Sequence, residues 1–90
     1  MTIKDEETLM EFPCQFSIKA MGKAADDFDA LVFSLVSQHV ANLSEGAVSC
    51  KSSGGGKYLS VTVTFEATSR AQLDEIYRTV TAHDRVLMAL

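Results

Sequence analysis

From Tyr58 to Glu66 the chain reads YLSVTVTFE, with Leu59, Val61, Val63 and Phe65 on one side of an extended backbone and Tyr58, Ser60, Thr62, Thr64 and Glu66 on the other. A period of two, rich in β-branched residues, predicts a strand with one buried and one wet face. Such a strand needs neighbours for its backbone and a cover for its apolar side. Gly46 to Ser53 offers a shorter copy of the pattern, with Val48 and Cys50 set against Ser49 and Lys51. Between the two runs lie Gly54, Gly55 and Gly56, which suit a hairpin connection because glycine takes positive φ without penalty. A phosphate-binding loop would need a helix after the glycines and Ser or Thr after the lysine. Here Tyr58 and a strand follow Lys57, so the glycines turn the chain and hold no phosphate.

The cover comes from two helical patterns. Phe28, Leu31, Val32, Leu35 and Val36 recur at helical spacing, predicting a helix over Ala25 to Ala41, with Asp26, Asp27 and Asp29 at the positive end of its dipole and Asp26 as its cap. Ser69-Arg70-Ala71-Gln72 matches a capping box, and Leu73, Ile76, Tyr77 and Val80 follow it, extending a second helix to about His83. Cys14 to Met21 alternates again, and Arg85 to Leu90 reads as a last apolar strand. The order strand, helix, strand, strand, helix, strand predicts an α+β domain of ferredoxin-like βαββαβ type. Its four-stranded antiparallel sheet carries both helices on one face, with the first and third strands at the centre. One domain over residues 12–90 accounts for the length, preceded by an acidic, flexible segment over residues 1–11.

Charge narrows the partners. Twelve acids against eight Lys and Arg give a net charge of -4, which disfavours nucleic acid, whose binding rests on Lys and Arg neutralising phosphates. The wet face of the third strand offers one aromatic, Tyr58, beside Ser60 and Thr62, and the first strand offers Ser17 and Lys19. That is too little for the stacked bases of an RNA-binding sheet. The sequence has no apolar run long enough to span a bilayer, and MTIKDEETLMEF is no secretory signal, so a cytoplasmic location with no membrane partner is expected.

The chain also resembles a known family. Glu11-Phe12-Pro13, Phe16, Lys19, Met21-Gly22, Gly56-Lys57-Tyr58, Ser60-Val61-Thr62, Gln72-Leu73-Asp74, Ile76-Tyr77 and Val86-Leu87-Met88 look like the YbeD-like family of small bacterial proteins. The resemblance covers nearly the whole chain through scattered identities in the right order. It implies a compact ferredoxin-like domain similar to the ACT-like regulatory domains that bind amino acids. Association with lipoate-attachment genes implies a regulatory role, with a small-molecule effector or a lipoate-related metabolic enzyme as partner. The triplet Gly54-Gly55-Gly56 is more glycine-rich than the family pattern, which argues against carrying a ligand role over to that loop.

Catalysis has few candidates. Cys14 and Cys50, if both point inward, sit two strand spacings or ~10 Å apart, too far for a disulfide, and read as small buried hydrophobes. His39 and His83 lack ligand-spaced neighbours, and no C-x-x-C or similar cluster is present, so no enzyme activity, cofactor or metal is expected. Two binding surfaces remain. Met21, Gly22 and Lys23 form the expected turn between first strand and first helix, where ACT-like domains hold a small effector on glycine-bearing backbone. Alternatively, Val86, Met88 and Leu90 on an edge strand, with Phe33 off the stripe of the first helix, would form an apolar interface for a second copy or another protein. A regulatory module sensing a metabolite is the leading expectation, and an interaction module docking on an enzyme through its sheet face or edge is the alternative.

Overall fold

A computed structural model describes residues 11–90. Its elements are β1 (Cys14–Lys23), α1 (Phe28–Ser37), β2 (Val48–Ser53), β3 (Tyr58–Ala67), α2 (Arg70–Thr81) and β4 (Val86–Ala89), with 3-10 turns at Glu45–Ala47 and Gly54–Gly56. Every pairing in the sheet is antiparallel and the strand order is β2-β3-β1-β4, so the first and third strands are central, as the sequence order requires. The acidic segment expected over residues 1–11 lies, but for Glu11, outside the described residues.

The alternation of β1 and β3 sets the layers. Ile18 and Ala20 of β1 and Val61, Val63, Phe65 and Ala67 of β3 are buried, and against them pack Phe28, Val32, Leu35 and Val36 of α1 and Leu73, Ile76 and Val80 of α2. Burying each such aliphatic or aromatic side chain contributes about 1.5–3 kcal/mol, so this one layer between sheet and helices is the main source of stability. Phe16 extends it towards α2, meeting Phe65 at 6.1 Å and the Tyr77 ring edge-on at 6.5 Å between centroids.

Gly54, Gly55 and Gly56 all have positive φ, at 61°, 68° and 91°, so the hairpin uses the freedom that the glycines provide. At α2 the capping box forms with a shift: the Ser69 hydroxyl accepts the Gln72 amide at 3.0 Å, but the Gln72 side chain accepts from Thr68 N at 2.7 Å rather than from the cap itself. Its amide Nε2 donates to the His39 carbonyl at 2.8 Å, and His39 Nε2 lies 2.7 Å from Thr79 Oγ1, so polar bonds join the end of α1 to α2.

The first helix is shorter than its pattern suggests, and its expected cap is wrong. Residues 26 and 27 form a turn before it, Asp27 occupies the cap position without a side-chain cap bond, and Asp26 caps nothing. The Asp27 carboxylate is engaged by Arg85 instead. At the other end, the Ser34 and Ser37 hydroxyls donate to the Leu31 and Ser34 carbonyls, local bonds that compete with helix continuation. The expected βα turn at residues 21–23 is also corrected. Met21, Gly22 and Lys23 lie in the body of β1, paired with Ser60, Leu59 and Tyr58, and the turn follows them.

Candidate functional site

At Gly22 β1 crosses directly above the start of α1. A Cβ on Gly22 would stand 2.5 Å from Phe28 Cζ and closer still to the Arg85 carbonyl oxygen, so the glycine is there to let Phe28 fill the core. Arg85 then closes the end of the fold. Its guanidinium lies 5.9 Å from the Phe28 ring centroid and grips Asp27 with two bonds, Nη2 to Oδ1 at 2.8 Å and Nη1 to Oδ2 at 3.1 Å. This bidentate contact, first through its hydrogen bonds and then through charge, holds the Asp27 carboxyl below its ordinary range and raises Arg85 above its own. The backbone of Gly22 is therefore covered. Of the three residues expected to receive an effector, Lys23 alone reaches an open cleft, one of about 350 Å³ shared with Ala25, Asp84, Arg85 and Leu87.

The expected interface residues divide similarly. Val86 is buried, with 8% exposure, and belongs to the core. Phe33 is half-buried in a cleft of about 310 Å³ between α1 and β2, with Val48, Cys50 and Asp29, at the opposite edge of the sheet from β4. The structure therefore does not join Phe33 or Val86 to Met88 and Leu90. Those two are exposed at 52% and 67%, and Leu87 beside them is exposed at 58%. A β-bulge explains Leu87. Met88 pairs with Met21 but Val86 with Gly22, so Leu87 is the extra residue, and two successive apolar side chains turn outward. The bulge and the shortness of β4 also blunt its edge, which is thus protected by shape rather than by charge.

Cys14 and Cys50 do not come together either. Cys14 pairs with Ala67 and Cys50 with Val61, an offset of six residues along β3 that sets them ~20 Å apart along the strands as well as two strand spacings across. Cys50 is exposed rather than buried, at the rim of the open cleft between α1 and β2. Partial burial first, and the nearby Asp29 charge second, push its thiol pKa up and make it a weaker nucleophile at neutral pH. His83 Nδ1 accepts the Arg85 amide at 3.1 Å, and no group of three or more His, Cys, Asp or Glu suited to a metal occurs among the described residues.

The side of the sheet away from the helices is open. Registers align its residues in rows across the strands: Lys51, Ser60, Met21 and Met88 in one, Ser49, Thr62 and Lys19 with Leu90 beside it in the next. Leu90 and Lys19 exchange both backbone bonds, at 2.8 and 3.0 Å, and Ser17 and Thr64 hydroxyls meet at 2.9 Å. Lys51 stands on this face with Ser49, the side of β2 on which its alternation against Val48 and Cys50 puts it.

A family model described as "Protein of unknown function (DUF493)" matches residues 7–90. The chain belongs to the DUF493 family. Among relatives of this DUF493 protein, UPF0250 protein RSc0326 of Ralstonia nicotianae is 45% identical over 84 residues, covering 93% of this chain and 87% of the relative. A UPF0250 protein of Chromobacterium violaceum is 42% identical over 86 residues, covering 96% and 97%. The expected membership among YbeD-like small bacterial proteins holds. The solution structure of protein HP0495 from Helicobacter pylori superimposes with a TM-score of 0.72 at 18% identity, over 90% of this chain and 85% of that one, which bears out the ferredoxin-like fold. Among the described residues, no helix is long and apolar enough to cross a membrane.

Proposed function

We propose that this DUF493 protein is a non-catalytic cytoplasmic binding module that docks on another protein, a metabolic enzyme, through the open sheet face and its β4 margin. One observation carries this reading. The exposed large apolar side chains of the described residues, Leu87, Met88 and Leu90, gather at one margin of the sheet. Apolar groups at 52–67% exposure gain by being covered, about 1–2 kcal/mol each for the part still exposed, and a cluster of them favours a macromolecular cover. Regulation then follows from docking. A second reading, an effector sensor, draws support from the cleft where Lys23 stands beside Arg85 and Asp84, a setting with one cation not engaged by Asp27 and one acid. It is the weaker because Gly22 is sealed by Phe28 and the Arg85 guanidinium is taken by Asp27.

Native mass spectrometry of the protein purified gently from its host separates these readings. Docking predicts a complex with a second protein that Met88→Glu removes, while circular dichroism of the variant stays unchanged. A bare monomer, or a complex indifferent to Met88→Glu, would reject docking through this margin. A small added mass that disappears with Lys23→Gln would instead favour the sensor.

A further inference from the structure

The charges of this molecule are sorted by face. Among the described residues each arginine lies on the helical side or at its end and holds an acid: Arg70 with Asp74 at 3.8 Å, Arg78 with Glu75 at 2.8 Å, and Arg85 with Asp27. Of the described lysines, Lys57 lies in the turn between β2 and β3 and the other three lie on the sheet. By the strand registers Lys19, Lys23 and Lys51 project from the open face, where the strands contribute a single acid, Glu66, paired opposite Gln15, and Asp84, just before β4, shares the cleft at Lys23. A chain of net charge -4 thus carries a cationic face. Local sign governs contact, since charges more than a Debye length of about 8 Å away are largely screened at physiological salt.

The lysines frame apolar ground. Lys19 and Lys23 lie on β1 on either side of Met21, ~13 Å apart, and Met21 is continuous with Met88 and Leu90 across the β4 pairing. On the basis of the docking reading, we infer that this face receives an acidic amphipathic helix of the partner protein, with carboxylates on Lys19, Lys23 and Lys51 and an apolar side chain on Met21 and Met88. A helix covers ~12 Å in eight residues, so acids about two turns apart reach both β1 lysines with an apolar residue between them. An open sheet face is commonly completed by a helical layer, whereas the bulged four-residue β4 is a poor template for strand addition. Nucleic acid fits less well: the face has one aromatic, Tyr58, and places thioethers and Leu90 where phosphates would lie. A second copy does not supply the ligand either, because the apolar sides of α1 and α2 are spent in its own core.

The test titrates isotope-labelled full-length protein with a synthetic Glu/Leu amphipathic helical peptide, its Gln/Leu counterpart and an oligouridylate, following amide shifts at low and high salt. The acidic peptide should shift Lys19, Met21, Lys23 and Lys51. Its affinity should fall about fivefold to tenfold in Lys19→Gln/Lys51→Gln and comparably for the Gln/Leu peptide. Equal binding of the Gln/Leu peptide, tighter binding of oligouridylate, or shifts confined to the helical side would overturn the inference. So would shifts of these same amides on neutralising Asp5, Glu6 and Glu7 without any peptide, since the acidic occupant would then be the chain's own. If the host complex depends on Met88 but not on Lys19 and Lys51, the acidic helix alone fails; if there is no complex, docking itself fails.

Discussion

The ring of Phe28 occupies the space in which a side chain at Gly22 would begin. Strand β1 and helix α1 can therefore approach one another only because one residue has no side chain and the other has a large one. Gly22→Ala should destabilise the protein by about 1–3 kcal/mol, the usual cost of forcing extra atoms into a filled interior. Urea unfolding checks this. An unchanged midpoint would show that both Phe28 and the Arg85 carbonyl give way freely, and would reopen the glycine as a place of ligand approach.

The Asp27–Arg85 pair carries a pH dependence of defined sign. Arg85 lowers the Asp27 pKa in the folded protein, so the pair's contribution is fully present above the unfolded carboxyl's value of about 4. It is lost as pH falls through the lower, folded value. Asp27→Asn should lower the melting temperature at neutral pH and flatten the acid limb of stability relative to the parent. Thermal melts at neutral and strongly acidic pH, in low salt, would contradict the assignment if both proteins lost stability in parallel.

Gln72 joins three parts of the chain through one amide, accepting from Thr68 and donating to His39 while its backbone is capped by Ser69. Gln72→Ala should cost about 1–2 kcal/mol, more than the loss of about 1 kcal/mol expected for Ser69→Ala. Equilibrium unfolding of the two variants orders them. The reverse ranking would mean that the bond to His39 contributes nothing and that the cap alone matters.

Much of the architecture was legible because it rests on periodicity. Leu59 through Phe65 alternate, Leu73 through Val80 recur at helical spacing, and a hairpin needs the glycines that it has; these local signals agree with the tertiary structure. The site was less legible, for reasons that are also physical. Gly22 reads as a turn residue until the Phe28 ring is placed against it, and Asp27 reads as helix-start acid until Arg85, 58 residues away in sequence, arrives to take it. Leu87 reads as an inward or outward residue of β4 by simple alternation, and a bulge breaks that rule. Lys51 joins Lys19 on one face only once β2 and β1 are registered through β3. Each miss concerns a contact between distant segments, which no window of neighbouring residues contains.

The central position of β1 has a consequence for how the molecule comes into being. Its partners on β3 lie 35 residues away at Lys23 and Tyr58 and 53 residues away at Cys14 and Ala67, whereas the β2–β3 hairpin closes across a few residues. Non-local pairing of this kind forms slowly, because the chain entropy of closing the loop is lost before the contacts compensate for it. During synthesis β1 emerges first and waits, with Phe16 and Ile18 uncovered, until the far end of β3 has been made. A nascent chain held at that stage exposes apolar side chains and an unpaired strand together, the combination that favours aggregation and that chaperones cover.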